Sequence, residues 1–106
     1  SIILKKNIHK LNCNKNTMVF EENIYNKNIF KILKEKKFEI IYLDPPFKEK
    51  RINEIIRNIY SHKLLKKKGI IILHRNKKTV DNFTDLFVIK KEKIYGLSKI
   101  IFGSLV

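Results

Sequence analysis

The apolar positions of this chain change period along its length, and the changes mark the elements. Leu4, Ile8 and Leu11 recur at helical spacing, so residues 2–12 read as an amphipathic helix. Polar Asn12 to Asn16 forms a turn, and Thr17 to Phe20 is short and β-prone. A loop over Asn23 to Asn28 leads to a short helix marked by Ile29, Phe30 and Leu33, closed by the basic run Lys34 to Lys37. Phe38 to Leu43 is almost continuously apolar, as expected of a strand buried on both faces. It stops at Asp44-Pro45-Pro46-Phe47, because two prolines cannot continue a hydrogen-bonded ladder.

Beyond the prolines the period returns to that of a helix. Ile52, Ile55, Ile56 and Ile59 fall at i, i+3, i+4 and i+7, one face of a helix over residues 50–61, with Leu64 and Leu65 tucked beneath it. Lys66 to Lys68 reads as a solvated turn before Gly69 and a second buried strand, Ile70 to Leu73, which ends at His74-Arg75. Leu86 to Tyr95 and Leu97 to Phe102 form two strands around Gly96. Tyr60, Phe83 and Phe87 read as core aromatics. The alternation of helices and strands implies an α/β fold, a parallel sheet with flanking helices and a terminal antiparallel hairpin. With 106 residues and no repeats, the chain is expected to be a single domain.

Composition changes this picture in two ways. Lys and Arg outnumber Asp and Glu by 24 to 10, a formal charge of +14, which attracts polyanions. Arg51, Arg57 and Arg75 are the only arginines, so the excess is lysine. Two readings stand: a nucleic-acid surface, or a solvated lysine-rich exterior. Cys13 is the only cysteine, which excludes an intrachain disulfide and fits a reducing, cytoplasmic setting. His9, His62 and His74 lack metal-binding spacing, and no apolar run is long enough for a membrane helix.

The sharpest chemistry lies at Asp44. Functional groups of an open parallel sheet gather where strands end at their carboxyl edge. A carboxylate there, followed by a stiff Pro-Pro turn, suits the activation of an exocyclic amine on a nucleobase. Such an amine is a weak nucleophile, because its lone pair is delocalised into the ring. The Asp44 carboxylate and the Pro45 carbonyl can accept its two N–H bonds and orient the nitrogen, while Phe47 stacks on the base. The competing reading is a strand-ending turn with Asp44 as a cap. Lys48, Lys50 and Arg51 follow the motif, and His74 and Arg75 end the next strand. All five are candidates to touch RNA, against the alternative of a solvated helix start and strand end.

Tyr42-Leu43-Asp44-Pro45-Pro46-Phe47 resembles the amino-methyltransferase signature of Asp or Asn, two prolines and an aromatic. Asn7 in its apolar helix, the Phe38 to Phe47 block with Glu39 in place of the usual Asp, and Tyr95-Gly96 before the last strand are similar to the RsmD family of guanine-N2 rRNA methyltransferases. The similarity runs over residues 2–103. It implies the Rossmann-like fold of class I methyltransferases, S-adenosylmethionine as methyl donor, and a flipped guanine of small-subunit rRNA as acceptor. The partner would be that RNA or an assembling ribosomal subunit, with the enzyme a monomer. By the same match Asp44, Pro45, Pro46 and Phe47 form the catalytic motif. Glu22 and Asn23 fall at the position that contacts the cofactor's adenine, where the family usually has Asp-Ala.

The family's Gly-rich cofactor loop has no counterpart in the chain, since Gly69, Gly96 and Gly103 all follow Asp44. Because the chain begins at Ser1, the loop and the acidic strand end that holds the cofactor ribose are expected upstream, leaving this chain a partial domain that binds S-adenosylmethionine weakly by itself. The same signature also serves adenine-N6 methyltransferases acting on DNA or RNA, and a non-catalytic basic RNA-binding fragment is the reading from a different class.

Overall fold

The computed structural model describes residues 2–3, 17–21, 33, 37–46 and 48–106. They build one six-stranded sheet in the order β1-β2-β3-β4-β6-β5. The strands are β1 (Ile2–Ile3), β2 (Thr17–Glu21), β3 (Phe38–Asp44), β4 (Leu65–Asn76), β5 (Phe87–Tyr95) and β6 (Ser98–Leu105). β1 to β4 run parallel, and β6 and then β5 add antiparallel to β4. The helix described, α1 (Ile52–Ser61), forms the crossover from β3 to β4. This mixed sheet is the α/β arrangement that the alternating elements imply, and it agrees with the Rossmann-like fold expected from the family resemblance.

The strand register explains the core. Phe20, Leu43, Leu73 and Ile101 align across four strands, as do Met18, Ile41, Ile71 and Gly103. Paired residues share a face, so these two rows form one apolar surface. α1 lays Ile52, Ile55, Ile56 and Ile59 against it, all fully buried. Each such isoleucine contributes roughly 1.5–3 kcal/mol of burial. The helix closes where Lys63 turns left-handed at φ 53° and the Leu64 N–H reaches the Ile59 carbonyl. Leu64 is thereby driven into the core, and its carbonyl accepts from the Phe38 N–H at 2.7 Å, tying the end of α1 to the start of β3.

Four expectations are corrected. Residues 2–12 do not begin as a helix: Ile2 and Ile3 pair with Met18 and Val19 in β1, because a ladder partner outweighs the local period. Residues 4–12, and the short helix expected around Ile29 and Phe30, lie outside the described residues. Lys66 to Lys68 belong to β4, which starts at Leu65. Between the pairs Phe38↔Leu65 and Ile40↔Ile70 the longer β4 side bulges outward, with Lys68 at φ 68°. Tyr60 is 43% exposed rather than core, whereas Phe87 is buried and Phe83 packs on it edge-to-face. β3 is fully buried at Phe38, Ile41 and Leu43 but only half-buried at Ile40 and Tyr42, because α1 covers one face.

Candidate active site at the carboxyl edge of the sheet

β3 delivers Asp44 to the edge of the sheet because its apolar run is held between β2 and β4 up to its last residue. Leu43 aligns with Leu73, so the next residues, Asp44 and His74, stand side by side. The His74 Nδ1 and Asp44 Oδ1 atoms are 2.9 Å apart. With the carboxylate ionised, Nδ1 carries the proton and donates it. No described residue reaches Oδ2, and none donates to the Pro45 carbonyl. Asp44, Pro45, His74, Arg75, Asn76, Leu97 and Ser98 line a cavity of about 280 Å³ at this edge. Two acceptors that no described residue satisfies thus sit on consecutive residues beside a cleft, with one carboxylate oxygen already fixed.

The loop after Asp44 is held from below. Arg75 is on the α1 face of β4 and only 4% exposed. Its guanidinium donates to both Asp81 oxygens, at 3.0 and 3.2 Å, to the Pro46 carbonyl at 3.2 Å and to the Glu49 carbonyl at 3.0 Å. The Glu49 N–H also donates to the Pro46 carbonyl at 3.0 Å. The Pro46 carbonyl is therefore committed to the fold, while the carbonyl of Pro45, itself a buried residue, takes no donor from a described residue. Arg75, a candidate to touch RNA, thus has four of its donors engaged by the loop and by Asp81, which gives it a role within the fold. A four-donor anchor of this kind has no sequence signal beyond an arginine at a strand end.

The other candidates divide. Arg51 precedes α1 and forks onto Glu49 at 2.6 and 3.1 Å. These bonds hold the Glu49 carboxyl below the usual carboxylate range, against the opposing effect of burial. Lys48 and Lys50 are exposed on the same loop. His74, a candidate to touch RNA or to face solvent, is part-exposed at the cleft and bonds to Asp44. Phe47, Glu22 and Asn23 lie outside the described residues.

In Rossmann-like folds the cofactor is approached closely by the backbone of a Gly-rich loop. None of the glycines offers such an approach. A Cβ on Gly69 would meet the Leu65 side chain at 2.7 Å, and on Gly103 the Phe87 ring at 2.4 Å, so both make room for neighbouring side chains. Gly96, at φ +56°, closes the hairpin in open space. The described residues do not fit the cofactor, and their chemistry is confined to the acceptor side.

No curated protein is detectably similar to the chain. Among solved structures, a candidate methylase from Haemophilus influenzae is 22% identical with a TM-score of 0.55, over 73% of this chain and 51% of its own. A conserved hypothetical protein from Streptococcus pyogenes is 20% identical with a TM-score of 0.59, over 84% and 72%. A candidate methyltransferase from Escherichia coli is 14% identical with a TM-score of 0.56, over 84% and 61%. The chain thus spans about half the length of the first of these, and at such identities the likeness is one of fold. Residues 1–104 match the family described as conserved hypothetical protein 95, and the chain belongs to that family.

Proposed function

We propose that this chain forms the acceptor edge of an S-adenosylmethionine-dependent methyltransferase that modifies the exocyclic N2 amine of a guanine in small-subunit rRNA. The observation that carries the reading is a pair of acceptors beside the cleft to which no described residue donates, Asp44 Oδ2 and the Pro45 carbonyl, on a loop anchored at Pro46. A guanine amine offers two N–H groups, and two fixed acceptors match them. Holding both hydrogens draws the lone pair out of conjugation and aims the nitrogen, and orientation of this kind supplies much of a rate enhancement. The Asp44 carboxylate is also placed to take the proton that the amine must lose once alkylated. The fold shared with candidate methyltransferases supports the reaction class, and the resemblance of Tyr42 to Phe47 to the amino-methyltransferase signature supports the amine as acceptor. The methyl donor is supplied by S-adenosylmethionine in such enzymes.

The test is methyl transfer by the full-length protein to purified small ribosomal subunits with a labelled donor, followed by nucleoside analysis. Label in N2-methylguanosine is expected, with Asp44→Ala lowering kcat by about 10²–10³-fold, the loss typical of removing one group that stabilises the transition state. Undiminished transfer by Asp44→Ala overturns the acceptor assignment. Label in N6-methyladenosine would transfer the site to the adenine class. Binding of RNA without transfer to any substrate would favour the non-catalytic module.

A further inference from the structure

The β5–β6 hairpin reaches past the core. From Ile89 to Leu97 every residue is exposed, including Ile94 at 60%, Tyr95 at 58% and Leu97 at 69%. Its strand register fixes which way this ribbon faces. Ile72 aligns with Phe102 and Lys91, His74 with Ile100 and Lys93, and Asn76 with Ser98 and Tyr95. Lys91, Lys93 and Tyr95 therefore share the sheet face that carries His74 and Asp44. The row Asp44, His74, Ile100, Lys93 crosses three strand spacings, roughly 14–15 Å. The turn continues the cleft itself, since Leu97 and Ser98 line the cavity beside Asp44. The turn after β4 adds exposed Lys77 and Lys78 at the same edge, where the Lys77 N–H donates to the Leu97 carbonyl.

We infer that this ribbon is a docking surface for the RNA strand flanking the target nucleotide, with Lys91 and Lys93 on successive phosphates and Tyr95 stacked against a base. The inference rests on the RNA reading above. Alternate residues on a strand stand about 7 Å apart, a repeat that suits an extended nucleotide chain. Basic side chains interleaved with an exposed aromatic are the surface that single strands bind. A second copy of this chain is the other candidate occupant, because β5 is an edge strand. Charge argues against it, since Lys90, Lys91 and Lys93 would meet their own counterparts in an edge-to-edge pairing.

Binding of a fluorescein-labelled single-stranded RNA to the full-length protein, followed by anisotropy over a salt series, tests this. Lys91→Glu with Lys93→Glu is expected to weaken binding at least tenfold and to lower the salt slope by about 1.4, two contacts at ~0.7 each for a single strand. Tyr95→Ala is expected to weaken it about tenfold with the slope unchanged. Lys67→Glu with Lys68→Glu makes the same charge change at the opposite edge of the sheet and is expected to cost less than about threefold. Equal losses in the two lysine pairs, or none in the hairpin variants, would overturn the docking surface while leaving the RNA reading intact if the unaltered protein binds. Failure of the unaltered protein to bind RNA would remove both. Unchanged RNA affinity with a shift from dimer to monomer in sedimentation would assign the ribbon to a second copy.

Discussion

At the scale of single residues, the contact between His74 and Asp44 decides how the carboxylate is presented. One oxygen is tied at 2.9 Å, so the carboxyl plane cannot turn freely and the other oxygen keeps its place at the cleft. Loss of the imidazole should therefore act through orientation. His74→Ala in the full-length enzyme is expected to lower kcat for methyl transfer by roughly ten- to a hundredfold, the range that a small misplacement of a reacting group produces. KM for RNA should change by much less, and His74→Asn, which keeps a donor near the same point, should recover part of the rate. A rise in KM with kcat intact would make His74 an RNA contact instead. Asp44 was legible in the sequence because it ends an apolar run and precedes two prolines. Its partner was not, because the pair is 30 residues apart and meets only through the parallel alignment of Leu43 with Leu73. No local period encodes that alignment.

At the scale of elements, the apolar runs on either side of Asp44 held, whereas the helical period read over residues 2–12 does not begin as a helix. Four isoleucines at helical spacing gave α1 to within two residues of its start, and the apolar run before Asp44 gave β3. β4 was read too short, because Lys66 to Lys68 carries turn-like polarity on a strand that bulges. The packing role of Gly103 was not legible either, since nothing local marks it. It stands across from Ile71 on the α1 face, and the Phe87 ring occupies the space that a side chain would need. A Cβ there would sit 2.4 Å from the ring and 2.8 Å from the Val88 carbonyl, which is backbone and cannot yield cheaply. Gly103→Ala is expected to destabilise the fold by about 1–3 kcal/mol, the usual cost of overpacking, read as a lower denaturation midpoint with an unchanged slope. Adding Phe87→Leu should return part of that loss by emptying the contested volume, and a neutral Gly103→Ala would show that the hairpin shifts on the sheet without strain.

At the scale of the whole molecule, Arg75 joins parts that the chain order keeps apart. It rises from the end of β4, reaches the Pro46–Glu49 loop between β3 and α1, and pairs with Asp81 beyond the next turn. Burial makes this ion pair a poor source of net stability but a costly thing to break, because a lone Asp81 carboxylate, 14% exposed, would be left behind. Arg75→Met should therefore cost about 3–5 kcal/mol in chemical denaturation. Arg75→Met with Asp81→Leu removes the stranded charge, and its stability should return close to that of the unaltered protein. Activity should not return with it. The Pro46 and Glu49 carbonyls lose the Arg75 donor in both variants and Pro46 keeps only the Glu49 N–H, so the loop that presents the Pro45 carbonyl is loosened, and kcat should stay at least tenfold down even in the stable double variant. Recovery of both stability and rate would mean that Arg75 serves only the core. Recovery of stability alone separates its two roles and makes it a positioning residue for the acceptor site.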